Sequence, residues 1–131
     1  MYRILIVFYF LFISPVFSDP IYHEKKYPSG NGPFPAVILL HSSGGFKSNQ
    51  MLNYLGDDYV ENGFAIYAPD FFKRHGITTQ TRIKTWTTFR EPIEKELSEI
   101  VELVKKDKKI DSKNVFAVGF SNGGYWATYL A

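Results

Sequence analysis

The sequence predicts an α/β fold built on a parallel sheet with flanking helices, and three observations carry that expectation. The run Ala36 to Leu40 (AVILL) is continuously apolar, as a strand buried on both faces is, and Phe64 to Ala68 (FAIYA) and Val115 to Phe120 (VFAVGF) read as two further strands. Helical patterns lie between them, and strand, helix, strand, helix, strand, helix at these spacings is a series of right-handed βαβ units. With Tyr 9 and Phe 12 in 131 residues, the chain carries the aromatic content of a buried core, which excludes a disordered polymer.

Composition narrows the function classes. Lys+Arg 15 against Asp+Glu 13 leaves a net charge of +2. That field is too weak to gather phosphate backbones or anionic lipid, so nucleic acid and membrane surfaces have no compositional support as partners. The absence of cysteine excludes a disulfide framework, a thiol nucleophile and a Cys-ligated metal. The length allows one domain at most.

Arg3, the apolar run Ile4 to Ile13, Ser14-Pro15 and then Val16-Phe17-Ser18 follow the basic, apolar, small-residue order of a secretory signal peptide. Residues 1–18 are therefore expected to direct the chain to a secreted or periplasmic location. A membrane anchor is the alternative reading, although the run is short of the roughly 20 apolar residues that a bilayer needs and Pro15 breaks it.

Residues 19–131 are expected to be the N-terminal portion of a single α/β domain. Pro28, Ser29, Gly30, Asn31, Gly32, Pro33 and Pro35 leave room before the first apolar run for one short strand, around Ile21 to Lys26. Ser48 is placed to cap a helix carrying Met51, Leu52, Leu55 and Tyr59 on one face, and Gly63 to stop it in the left-handed conformation. The stretch Asp70 to Thr88 is polar and reads as a long surface loop. Pro92 marks the start of a helix in which Ile93, Leu97, Ile100, Val101 and Val104 form an apolar stripe, with Glu94, Lys95, Glu96, Glu99, Glu102 and Lys105 as its solvated face. A polar linker, Lys106 to Lys113, precedes the third strand, and Tyr125 to Ala131 begins a last helix.

In an open parallel sheet, ligands collect at the carboxyl ends of the strands. The third strand runs into Gly119-Phe120-Ser121-Asn122-Gly123-Gly124, a G-x-S-x-G between a strand and a helix. So sharp a reversal forces the central residue into a strained conformation that exposes its side chain, and the glycines are needed because a Cβ at either position would strike the reversing backbone. The first strand runs into His41-Ser42-Ser43-Gly44-Gly45, a glycine-rich turn able to aim a backbone N–H at a developing oxyanion. The N–H of Asn122, at the positive end of the following helix, would supply the second. A phosphate-loop reading of Lys47-Ser48 fails because the two positions that require glycine hold His41 and Phe46. His41 and His75 have no carboxylate or histidine at ligand spacing, so neither metal nor cofactor is implied.

These two loops resemble the dienelactone hydrolase family of α/β-hydrolases, and the resemblance covers most of the chain after residue 18. It runs through Gly32-Pro33-Phe34-Pro35-Ala36-Val37, His41 with Gly44-Gly45, Asn62-Gly63-Phe64-Ala65, Ala68-Pro69-Asp70, Ile110-Asp111 and the segment from Gly119 to Gly124. Founding members of that family carry a cysteine at the elbow and a glutamate after the residue matching His41, whereas this chain has Ser121 and Ser42 there. It is similar to the serine-type branch, often exported. The resemblance implies that Ser121 is the nucleophile, that the N–H groups of Ser43 and Asn122 form the oxyanion hole, and that the substrate is a small-molecule ester or lactone. His41 is then a support for its own loop, because in this chain order the base follows the nucleophile. Asp70 is a turn or hydrogen-bond residue, Arg74, His75, Arg82 and Arg90 belong to the solvated loop or its border, with contact to an acidic substrate as the alternative, and His23 is assigned no role.

The triad acid and histidine expected after Ser121 are absent, since the sequence ends at Ala131. The expectation is that these residues are the N-terminal half of a hydrolase of roughly 230 residues or more, a fold truncated just after the elbow. A catalytically incomplete, non-enzymatic product is the alternative.

Overall fold

The computed structural model describes the backbone of residues 21–48 and 50–131, and the side chains of the same residues except 48 and 50–54. The expected signal segment, residues 1–18, lies outside the described residues, as do the side chains of Ser48, Met51 and Leu52. Four strands form one sheet: β1 (His23–Lys26), β2 (Phe34–Leu40), β3 (Ala65–Pro69) and β4 (Ile110–Gly119). Their spatial order is β1-β3-β2-β4. The three apolar strands pair in parallel as the crossover spacing requires, with Val37 opposite Ile66 and Leu40 opposite Gly119. The sheet as a whole is mixed rather than parallel, because the short β1 runs antiparallel along the outer edge of β3, with His23 opposite Pro69. Pro69 has no N–H to donate and is tolerated at the end of β3, where the ladder stops.

Among the described residues, three helices, α1 (Gln50–Glu61), α2 (Arg90–Lys106) and α3 (Asn122–Leu130), cover the sheet. Alternation along β2 divides the core between two faces. Ala36, Ile38 and Leu40 meet Ile93, Leu97, Ile100 and Val104 of α2 and Trp126 of α3, whereas Val37 and Leu39 join Ile66 and Ala68 against Tyr59 and Val60 of α1. Helix α1 ends as expected at Gly63, whose φ of 87° allows the Gly63 N–H to reach the Val60 carbonyl and the Phe64 N–H the Tyr59 carbonyl. Leu55, expected on the apolar stripe, is exposed.

The expected surface loop after β3 is partly internal. It folds through short 3-10 turns at Lys73–His75 and Arg82–Thr85, and buries Phe71, Phe72, Ile77 and Thr85. The linker before the third strand is shorter than expected because β4 already starts at Ile110, and a register shift between the Phe34 and Ala36 pairings absorbs the extra residues. Helix α3 starts one residue beyond Ser121, and its first turn rests on the end of β2: a Cβ added to Gly123 would lie 2.0 Å from the Leu40 carbonyl oxygen.

At mid-sheet, the Tyr27 and Tyr67 hydroxyls both donate to Oδ2 of Asp107, tying the segment after β1 and strand β3 to the end of α2. Burial pushes the Asp107 carboxyl up, but the two hydroxyls and the Lys109 N–H more than offset that and hold it at about 2. Burial, followed by the adjacent carboxylate, pushes the Tyr67 hydroxyl well above its ordinary value.

Two stability predictions follow from these contacts. Asp107→Asn lowers unfolding free energy by about 1 kcal/mol at pH 7 once solvent screening is allowed for. Because the folded carboxyl titrates below the unfolded one, that advantage of the wild type is complete above about pH 4 and is lost as pH falls through about 2. Urea unfolding of both proteins from about pH 7 down to about pH 2 measures it; a difference as large at about pH 2 as at about pH 7 contradicts it. Gly123→Ala costs about 3 kcal/mol, because backbone must move to admit the methyl group. Gly63→Ala, strained only through φ with nothing within 4 Å of its added Cβ, costs about 1 kcal/mol. Equal losses in the two variants contradict this.

Candidate active site

Ser121 lies at the reversal from β4 to α3 with φ 54° and ψ −114°. It is the one non-glycine residue with positive φ among those described. Such a backbone costs about 1–3 kcal/mol and persists only where its surroundings enforce it. Here the glycines do so: a Cβ added to Gly119 would come within 2.2 Å of the Gly123 carbonyl, and one added to Gly123 would strike the Leu40 carbonyl. The turn is closed by hydrogen bonds from Gly123 N–H to Phe120 O at 3.0 Å and from Tyr125 N–H to Ser121 O at 3.1 Å. The outcome is an exposed serine followed by Asn122, which is 1% exposed.

Parallel pairing of β2 with β4 places the loop after Leu40 beside this reversal. His41 is fully buried there, stacked on Phe71 at 3.9 Å and 6°. Its Nδ1 lies 2.8 Å from the Ser42 carbonyl, which also accepts the Gly45 N–H at 3.0 Å. With the proton on Nδ1, the imidazole donates to that carbonyl and so holds the plane of the Ser42–Ser43 peptide, whose other end is the Ser43 N–H. On the far side of the ring, Nε2 is 3.6 Å from Oδ1 of Asp70, an ion-pair distance beyond hydrogen-bonding reach. Burial pushes the Asp70 carboxyl up. The adjoining imidazole and the N–H groups of Phe72 and Lys73, both at 3.2 Å, outweigh it and hold the carboxyl below its ordinary value. Asp70 is thus a turn residue, and one that also faces His41.

The remaining polar residues singled out in the sequence are engaged elsewhere. His75 is not solvated: its Nε2 is 2.8 Å from Oε2 of Glu96, which is 1% exposed. This corrects the assignment of Glu96 to the solvated face of α2. Burial raises the Glu96 carboxyl, against the lowering effect of His75. Arg74 pairs with Glu99 at 3.4 Å, Arg90 with Glu94 at 2.9 Å, and Arg82 donates to the Thr79 carbonyl at 2.7 Å. His23 Nδ1 lies 2.9 Å from the Ile21 carbonyl. Thr85, to which the sequence drew no attention, is fully buried and accepts a hydrogen bond from Asn122 Nδ2 at 3.3 Å.

A cleft of about 790 Å³ is lined by Gly44, Phe46, Asp70 and Phe72 among others, and another of about 860 Å³ runs along α2 beside Asp107; Ser121 lines neither. Ser121 stands instead on an open surface with the exposed rings of Phe120 and Tyr125. No group of three or more His, Asp or Glu side chains that could hold a metal occurs among the described residues, and no helix among them is long and apolar enough to cross a membrane.

Comparison with known proteins bears on the fold and the family. The chain is 30% identical over 105 residues to a protein of Aquifex aeolicus (strain VF5) named "Putative carboxymethylenebutenolidase", an alignment covering 74% of this chain and 45% of that protein. Its fold matches the crystal structure titled "Putative Dienelactone Hydrolase from Klebsiella pneumoniae subsp. pneumoniae MGH 78578" with a TM-score of 0.56 at 17% identity, over 75% of this chain and 43% of that one. The chain thus spans less than half the length of each. The sequence model of the dienelactone hydrolase family matches residues 22–131, and with that match the chain belongs to the dienelactone hydrolase family.

Proposed function

We propose that the protein is an exported serine hydrolase that cleaves a small-molecule carboxylic ester or lactone through an acyl-Ser121 intermediate. The observation that carries this reading is the conformation of Ser121, an exposed hydroxyl held at φ 54° between two glycines whose missing side chains make the reversal possible. Membership of the dienelactone hydrolase family supports hydrolysis of this type. Ser121 Oγ forms a bond to the substrate carbonyl carbon as its proton passes to a general base. The carbonyl oxygen takes up the negative charge opposite the N–H groups of Ser43 and Asn122. Collapse expels the alkoxide, which takes the proton, and water then hydrolyses the acyl-serine by the same route.

The chain has three histidines, and each has a partner other than Ser121. This reading therefore assigns the general base and its acid to residues beyond the 131, consistent with the 45% share of the Aquifex relative that the chain spans. Export rests on the residue order of 1–18, and a membrane association on that segment remaining uncleaved.

A fluorophosphonate probe applied to the intact protein is expected to label Ser121 and to leave Ser121→Ala unlabelled. An unlabelled wild type, or a label that survives the substitution, would sink the proposal and favour a non-enzymatic product. His41→Ala is expected to slow labelling about tenfold where both proteins are folded, because the Ser42–Ser43 peptide loses the donor that fixes its plane. Labelling at the wild-type rate would show that the imidazole does not act on the oxyanion loop.

A further inference from the structure

We propose that Thr85 is a positioning residue for the oxyanion donor at Asn122, an inference that rests on the reading of Ser121 as nucleophile. Thr85 is fully buried although its neighbours Arg82, Ile83 and Lys84 are exposed. Its hydroxyl is used in both directions. The O–H donates to the Arg82 carbonyl at 2.7 Å, which closes the turn, and the oxygen accepts from Asn122 Nδ2 at 3.3 Å. That is the one hydrogen bond made by the Asn122 side chain among the described residues, since its Oδ1 meets no donor.

The position of Asn122 makes this bond matter. Asn122 is the first residue of α3, so its backbone N–H is one of the donors that the helix itself leaves unpaired. The bond from its carboxamide to the 82–85 turn tethers the residue and so fixes the peptide that carries this N–H. A buried amide with a single partner takes its orientation from that partner, because breaking the bond leaves two polar groups unpaired. The next residue strengthens the seam: Trp86 meets Tyr125 of α3 edge-to-face at 6.5 Å.

The test combines kinetics and NMR on the intact protein, its Thr85→Val, Thr85→Ser and Asn122→Ala variants, and the double variant Thr85→Val with Asn122→Ala, with a p-nitrophenyl ester as probe. Thr85→Val is expected to lower Ser121-dependent kcat about tenfold with KM within about twofold, because the donor is misplaced and the substrate site is not. Thr85→Ser, which keeps the hydroxyl, is expected to restore kcat, and the double variant to be no slower than Asn122→Ala alone. The Asn122 amide resonances are expected to shift in Thr85→Val and to stay in place in Thr85→Ser. Unchanged kcat in Thr85→Val, an equal loss in Thr85→Ser, or additive losses in the double variant would overturn the positioning role. If Thr85→Val fails to fold, Asn122→Ala carries the test, with the same kcat loss expected and a wild-type kcat overturning it. A protein without Ser121-dependent turnover contradicts the hydrolase reading instead, and the Asn122 resonances still decide the contact: if they do not move in Thr85→Val, the proposal fails by itself.

Discussion

The Leu40 carbonyl and the Cα of Gly123 approach so closely that no side chain fits between them, and the arrangement of the site follows from that contact. The chain must reverse between β4 and α3 for the helix start to rest on the end of β2, and the residue at the reversal has positive φ. Ser121 accepts it without being glycine. The strain of about 1–3 kcal/mol is offset by what the reversal permits, including full burial of Trp126 against Phe71 and the α2 side of the core. The same contact places the 41–45 loop beside Ser121, since Leu40 and Gly119 are register partners. A slip of one residue between β2 and β4 would turn each side chain of β4 to the opposite face and part the two loops.

The two outer strands are built differently. β1 is short, reads HEKK and pairs antiparallel, so charged side chains guard that edge against further pairing. β4 is ten residues long and is apolar where it nears the elbow, with Phe116 exposed at 49% and Phe120, just beyond its end, at 64%. Tyr125 and Tyr129 of α3 extend the same exposed aromatic character. Exposed aromatic rings of this size are costly to leave in water, which sets the β4 side of the sheet apart from the covered centre formed by β2 and β3.

The elements that hydrophobic runs specify were legible in the sequence. Residues 36–40 of β2 and 65–68 of β3 are buried throughout, so continuous apolarity identifies these strands, and the stripe of α2 supplies four of its buried positions. β1 could be placed but not oriented, because a four-residue polar strand takes its direction from the neighbour it pairs with. Glu96 was misread for a similar reason. It borders the apolar stripe, and only a histidine 21 residues earlier in the chain makes its burial tolerable. The threonines and basic residues of the loop after β3 give it the pattern of a solvated segment. Phe71, Phe72 and Ile77 are scattered without the period of either regular element, so no pattern in that stretch announced a core contribution. In the candidate site, Ser121, Asn122 and the glycines were visible as a motif. Thr85 was not, because a contact with a residue 37 positions away leaves no local signal.

That misread loop is what joins the two halves of the candidate oxyanion hole. At its start, Asp70 faces His41, the imidazole that reaches the Ser42 carbonyl and with it the peptide carrying the Ser43 N–H. In its middle, the buried His75–Glu96 pair fastens it to α2, and Thr79 reaches the Gly44 carbonyl at 3.4 Å. At its end, Thr85 holds the carboxamide of Asn122. Both backbone donors are thus held through side chains of one segment, although the donors themselves follow different strands. An isolated glycine-rich turn and an isolated helix start would each be free to adjust on their own. Fastened to a common segment that is itself pinned by buried groups, they are fixed relative to each other, and that relative placement is what stabilising a developing oxyanion requires.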